Sequence, residues 1–232
     1  MRKFIKDLVL PVAVAVTLAF VIQASIAKPY EIPTNSMYPA IQGANSTGDR
    51  APDRVIANRV IYKLRDISRG DVVVFNPTPG AREACSEPGD VPFVKRVIGL
   101  PGDIIGIRQN RLTVNGTPIA YGEEAIYVGS GATAAIEMTG ATRVSEALAP
   151  GKEHAILDKW PRQMAFGDGE YEVPEGHYFV LGDNRVASDD GRFWGFVPAA
   201  NLAGRADVIW LNCSNWACMD SFDWRRMGDV IR

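Results

Sequence analysis

Phe93-Val94-Lys95-Arg96-Val97-Ile98-Gly99-Leu100-Pro101-Gly102-Asp103-Ile104-Ile105-Gly106-Ile107 holds two short apolar runs rich in β-branched residues, parted by Leu100-Pro101-Gly102. Each run is too short for a stable helix, and the proline and glycines punctuate them as strands. The pattern repeats on both sides. Arg59-Val60-Ile61-Tyr62-Lys63-Leu64, Asp71-Val72-Val73-Val74-Phe75, Arg111-Leu112-Thr113-Val114 and His177-Tyr178-Phe179-Val180-Leu181 read alike, bounded by Gly, Pro, Asn or Asp. Asn115-Gly116 is a hairpin turn signal. These runs predict a mainly β fold with an antiparallel core over 28–115 and 173–232. The only helical pattern expected after residue 28 is a short one near Val144 to Leu148.

Residues 116–172 are poorer in strong strands and contain Gly129-Ser130-Gly131-Ala132, which predicts an inserted, smaller β-rich segment of variable character. Loop 76–91, with three prolines and Cys85, reads as another insertion. No internal repeat is present.

The N-terminus breaks the pattern. Leu8 to Ala27 reads LVLPVAVAVTLAFVIQASIA, twenty residues without a charge. That length spans a bilayer core at helical rise. Arg2, Lys3 and Lys6 precede it, so residues 1–7 are expected in the cytoplasm and everything after Lys28 outside. The fold expected is therefore one N-terminal transmembrane helix, 8–27, followed by the β core. A cleaved secretory signal ending in Ser25-Ile26-Ala27 is the competing reading, although the run exceeds the usual signal core.

Composition narrows the function. The 232 residues carry 25 Lys and Arg against 27 Asp and Glu, a net charge of -2. No basic run exists, which argues against nucleic acid as partner. Cys213 and Cys218 are spaced for a short-loop disulfide or stand as thiols. No CxxC, HExxH or His/Cys cluster accompanies them, so no metal or cofactor is expected.

Only two histidines exist, His154 and His177. His177 lies in a strand-like run, His154 reads as a surface residue, and no GxSxG elbow supports a Ser-His-Asp hydrolase. Lysine is the next candidate base. Lys95 stands out among the seven because Phe93 and Val97 share its strand face. An ordinary lysine is neutral about once in 2,500 at pH 7. A downward shift of roughly three units, worth about 4 kcal/mol, would make it a working base. The alternative is a side chain that snorkels past Phe93 to water.

A partner for such a base lies just after the anchor. In Ile32-Pro33-Thr34-Asn35-Ser36-Met37-Tyr38-Pro39 two prolines bracket a serine on a stiff loop. Ser36 is nine residues past Ala27, within about 30 Å of the bilayer even when extended. A plain juxtamembrane linker is the alternative. A third dense stretch, Gly182-Asp183-Asn184-Arg185-Val186-Ala187-Ser188-Asp189-Asp190-Gly191-Arg192, follows a strand. Its two arginines disfavour a calcium loop.

In order along the chain, Pro33 to Pro39, Arg69-Gly70-Asp71-Val72-Val73-Val74-Phe75, Lys95 to Asp103, and Gly182 to Arg192 continuing through Trp194-Gly195-Phe196-Val197-Pro198 resemble the four boxes of bacterial type I signal peptidases, the membrane-anchored serine–lysine peptidases. The resemblance implies Ser36 as nucleophile and Lys95 as general base. It implies the Ser36 N–H and the Thr34 hydroxyl as the oxyanion hole. Ser188 would orient Lys95, and Asp190 and Arg192 would form a supporting ion pair. Tyr30, Ile32, Phe93 and Val94 would line apolar pockets for small residues at positions -1 and -3 of a signal peptide, bound as an added strand.

The chain departs from the family pattern at Thr34, where serine is frequent, at Asn35, where glycine is frequent, and at Gly191, where serine is common. The partners implied are signal peptides of exported preproteins and the lipid bilayer, in a single-pass protein of the plasma (inner) membrane with its catalytic domain on the extracytoplasmic side. Two other readings stand beside this one: a serine–lysine peptidase with a specialised precursor substrate, and a non-catalytic single-pass protein whose β domain binds partners. Trp194, Trp210, Trp216 and Trp224, with Phe193, Phe196 and Phe222, read either as a surface dipping into the bilayer or as core packing.

Overall fold

The computed structural model describes residues 9–44, 51–85, 91–128, 138–159, 167–213 and 223–232. Arg2, Lys3, Lys6, Gly129 to Ala132, Trp216, Cys218 and Phe222 therefore lie outside the described residues. Cys213 is disulfide-bonded and Cys85 remains a thiol.

Helix α1 is Leu10–Ile26, 17 residues. At helical rise that is about 26 Å. Among the described residues no helix is long and apolar enough to cross a membrane. Its side chains have little protein to pack on: Val12, Val16 and Leu18 are each more than half exposed.

The strands that follow are β1 (Ala27–Glu31), β2 (Asp53–Asn58), β3 (Val72–Phe75), β4 (Phe93–Gly99), β5 (Ile104–Arg108), β6 (Arg111–Val114), β7 (Thr117–Pro118), β8 (Ala120–Ile126), β9 (Ala141–Ala147), β10 (Glu153–Lys159), β11 (Gly169–Glu172), β12 (His177–Leu181), β13 (Val197–Pro198) and β14 (Leu202–Asn212). They form a seven-stranded sheet in the order β1-β2-β14-β3-β4-β12-β13, a four-stranded sheet β11-β5-β6-β7 and a three-stranded sheet β10-β9-β8. Every strand pairing is antiparallel. The mainly β expectation holds.

The period of two explains how β3 is buried on both faces. Val72 and Val74 join a core with Ile32, Met37, Val55 and Ile209, whereas Val73 and Phe75 join Val97, Val180 and Val197 on the other side. A third core lies where β12 and the four-stranded sheet meet, around Ile98, Ile105, Leu112 and Phe179. Burying a side chain such as Phe75 or Phe179 contributes about 1.5–3 kcal/mol. The hairpin at Asn115-Gly116 forms as its sequence requires: both residues have positive φ, 51° and 76°, which a tight two-residue turn between β6 and β7 demands.

Three local readings are overturned. Arg59 to Leu64 is not a strand. β2 ends at Asn58, whose Oδ1 accepts the N–H groups of Val60 and Ile61 and so opens α2, Ile61–Leu64. Val144 to Leu148 is not helical. Most of it lies in β9, which pairs on both sides and buries Val144 and Glu146 at alternate positions. His154 is not a surface residue: it is 7% exposed, with Nε2 3.3 Å from Glu146 Oε2, because β10 turns it inward against a buried carboxylate. Part of loop 76–91 is also helical, as α3 (Pro79–Cys85).

The C-terminal aromatics divide. Trp194, in α4 (Gly191–Trp194), packs on Phe75, and Phe196 on Phe179. Phe193 and Trp224 stay exposed.

Candidate active site

Ser36 sits in a 3-10 turn, Asn35–Met37, just after β1. Thr34, after Pro33, and Tyr38, before Pro39, are extended on either side of the turn, whose Ser36 and Met37 are buried. It is pinned from both sides. Behind it, Asn35 Oδ1 accepts the Gly43 N–H at 3.1 Å and Ile41 N donates to Met37 O at 3.0 Å. In front, Asn184 donates its main-chain N–H to Ser36 O at 3.1 Å and its side-chain amide to Asn35 O at 3.2 Å.

Lys95 comes from β4, where it pairs with Val73 of β3. Its Nζ lies 2.6 Å from Ser36 Oγ. Ser36 and Lys95 are 9% and 5% exposed. Among the described residues no carboxylate forms an ion pair with Lys95. Burial pushes its ammonium below the ordinary lysine range; nearby Asp190, Cys85 and Asp189 offset part of that and Arg192 adds to it. Lys95 therefore does not snorkel to water. The Thr34 hydroxyl donates to Ser36 Oγ at 3.2 Å.

The loop from Gly182 to Arg192 closes the site. The Asp190 carboxylate is fully buried; it accepts the Gly182 N–H at 3.0 Å and a two-nitrogen fork from Arg192 at 2.8 Å each. The expected ion pair is thus formed. Arg192 also donates to the Arg185 and Ser188 carbonyls, so it cross-links the loop. Ser188 is buried beside Ser36, but the hydrogen bond to Lys95 expected of it is not formed: its Oγ has no hydrogen-bond partner and packs against Gly182. Next to this loop Arg96 and Asp183 form a buried fork, at 2.7 and 2.6 Å.

A cleft of about 210 Å³ opens onto Ser36 and Lys95. Ile32, Phe93 and Val94 line it as the sequence predicts. Tyr30 does not: it packs on the core beside Ile32. The sequence reading missed Cys85 and Val91, which reach the cleft from loop 76–91, and the grip of Asn184 on the serine turn. Asn184 lay in a quoted motif, yet nothing in its spacing says which carbonyls it meets. β12 leaves β4 after Leu181 pairs with Arg96, so among the described residues β4 has no second strand partner along Phe93–Lys95.

The sequence is similar to proteins already known. The family model described as signal peptidase, peptidase S26, matches residues 5–211. Signal peptidase I of Pseudomonas fluorescens is 34% identical over 216 residues, covering 84% of this chain and 68% of that protein. Signal peptidase I of Pseudomonas aeruginosa is 31% identical over 221 residues with the same coverage. Probable signal peptidase I-2 of Synechocystis is 34% identical over 194 residues, covering 84% and 67%. The chain is a serine peptidase and belongs to the signal peptidase family, peptidase S26.

Proposed function

We propose that the chain is a membrane-anchored endopeptidase that removes N-terminal signal peptides from exported preproteins, with Ser36 as nucleophile and neutral Lys95 as general base. The observation that carries this reading is the 2.6 Å contact between Ser36 Oγ and a buried lysine that, among the described residues, forms no ion pair with a carboxylate. Ser36 Oγ attacks the scissile carbonyl carbon while its proton passes to Nζ. The oxyanion is held by the Ser36 N–H and the Thr34 hydroxyl, each such donor being worth about 10²–10³ in rate. The C–N bond then breaks as Lys95 returns the proton to the leaving amine. Water attacks the acyl-enzyme with Lys95 again as base, releasing the carboxylate and restoring Ser36. Serine, lysine and water balance every step without metal or cofactor.

Ser188 would steady Lys95 after a rotation of its hydroxyl, and the Asp190–Arg192 pair holds the loop that carries it. The cleft beside Ile32 and Val94 suits small side chains at -1 and -3, and the unpaired stretch of β4 suits a substrate strand. Residues 8–27 are proposed to cross the plasma (inner) membrane, with the N-terminus cytoplasmic. The exposed apolar surface of α1 would be costly in water and at home in lipid.

The test is cleavage of a purified preprotein in detergent by wild type, Ser36→Ala and Lys95→Ala. Cleavage after a small residue, lost by several orders of magnitude in both folded variants, supports the assignment. Full activity in either variant rejects the dyad. Carbonate-resistant retention of the full chain in membranes supports the anchor, and release into the supernatant rejects it.

A further inference from the structure

The three-stranded sheet reaches the serine turn through a buried relay of charge and main chain. Glu146, in β9, is fully buried and accepts both terminal nitrogens of Arg185, at 2.9 and 2.6 Å. Arg185 Nε also donates to Gly182 O at 3.1 Å. In β10, Leu157 takes hold of the main chain on both sides of Asn184: Leu157 N donates to Asp183 O and Arg185 N donates to Leu157 O, each at 2.9 Å. Asn184 is thus held at its two neighbours, and it in turn holds the Asn35 and Ser36 carbonyls.

The Asn35 carbonyl belongs to the same planar peptide unit as the Ser36 N–H. Fixing the oxygen fixes the direction of that N–H, the proposed oxyanion donor. We propose that Glu146 is a positioning residue which, through Arg185 and Asn184, sets the orientation of the Ser36 N–H and so the alignment of the serine for attack. The inference deepens the Ser36–Lys95 reading and rests on it. It also gives the inserted segment a role in the chemistry without touching substrate. Its premise is that displacements of about 1 Å in a reacting group cost on the order of 10² in rate. A buried ion pair by itself says little about stability, so a purely structural role makes a different prediction.

The experiment uses the full chain in detergent with a preprotein substrate, comparing wild type, Ser36→Ala, Asn184→Ala and the double variant Glu146→Leu with Arg185→Leu, which removes both buried charges together. Thermal unfolding is recorded for each. The expected result is a fall in kcat of about 10²-fold in Asn184→Ala and in the double variant, with KM within about threefold and the unfolding transition retained. A folded double variant with wild-type kcat overturns the proposal, as does a loss that appears in KM alone. Should the double variant not fold, Asn184→Ala decides, because it leaves the Glu146–Arg185 fork intact: unchanged kcat overturns the proposal and a kcat-only loss supports it. An inert wild type, or an active Ser36→Ala, instead rejects the underlying dyad.

Discussion

Gly182 presses on the main chain of Ser36: a Cβ at Gly182 would lie 2.4 Å from the Ser36 carbonyl oxygen and 2.2 Å from Ser188 Oγ. Rotating the Ser188 hydroxyl away would not relieve this, since the Ser36 carbonyl is backbone and the Ser188 Cβ is itself only 2.5 Å off. Gly182→Ala is therefore expected to push the serine turn off Lys95. We expect a cost of about 1–3 kcal/mol in stability and a loss of cleavage of about 10²-fold. Urea unfolding and preprotein cleavage check both, and wild-type activity would refute the close approach.

The pH dependence follows from the lowered pKa of Lys95. As the proposed base Lys95 would work when neutral, so kcat/KM should rise as pH passes upward through the lowered value, well before an ordinary lysine titrates. Stability has the same sign. Between the folded pKa and the unfolded one near 10.5 the unfolded chain binds the proton and the folded chain does not, so stability grows with pH across that window. Lys95→Met should be inactive, more stable than wild type at neutral pH, and should flatten that slope by at most about 1.4 kcal/mol per pH unit. An unchanged pH slope in denaturation curves would contradict a neutral buried lysine.

Arg192→Ala removes the fork from Asp190, leaving a fully buried carboxylate with only main-chain donors. Stranding a buried charge typically costs about 3–5 kcal/mol. Chemical denaturation at neutral pH should show a loss of that order; one below about 1 kcal/mol would mean that Asp190 is not held by this pair.

Cys85 supplies a thiol to the wall of the cleft. Alkylation with iodoacetamide should narrow the cleft and slow cleavage, an excess of signal peptide should protect, and Cys85→Ser should be insensitive. Equal inhibition of Cys85→Ser would place the reactive group elsewhere.

The strands were legible because valine-rich runs with period two leave few other ways to be buried, as in β3 and β4. Ser36 and Lys95 stood out singly only as a serine between prolines and a lysine with apolar neighbours, each with a bland alternative; the order of the four motifs joined them. What failed was set by contacts distant in sequence. Asn58 caps a helical turn that the β-branched run Val60-Ile61 disguises. His154 reads as a surface residue and Glu146 falls in the stretch read as helical, because neither reading sees the loop bearing Arg185 and Asp183 that packs against them. Tyr30 shares its strand face with Ile32, two residues on, but its ring packs on the core and does not reach the cleft.

The parting of β12 from β4 after Arg96 leaves, among the described residues, one edge of Phe93–Lys95 without a neighbouring strand. A polypeptide laid there makes the sheet whole, and its hydrogen bonds cooperate along an unbroken length. Cutting that polypeptide turns one long guest into two short ones, each with fewer rungs and its own chain entropy to regain. For a substrate bound as proposed, departure of the products is thus written into the act of hydrolysis.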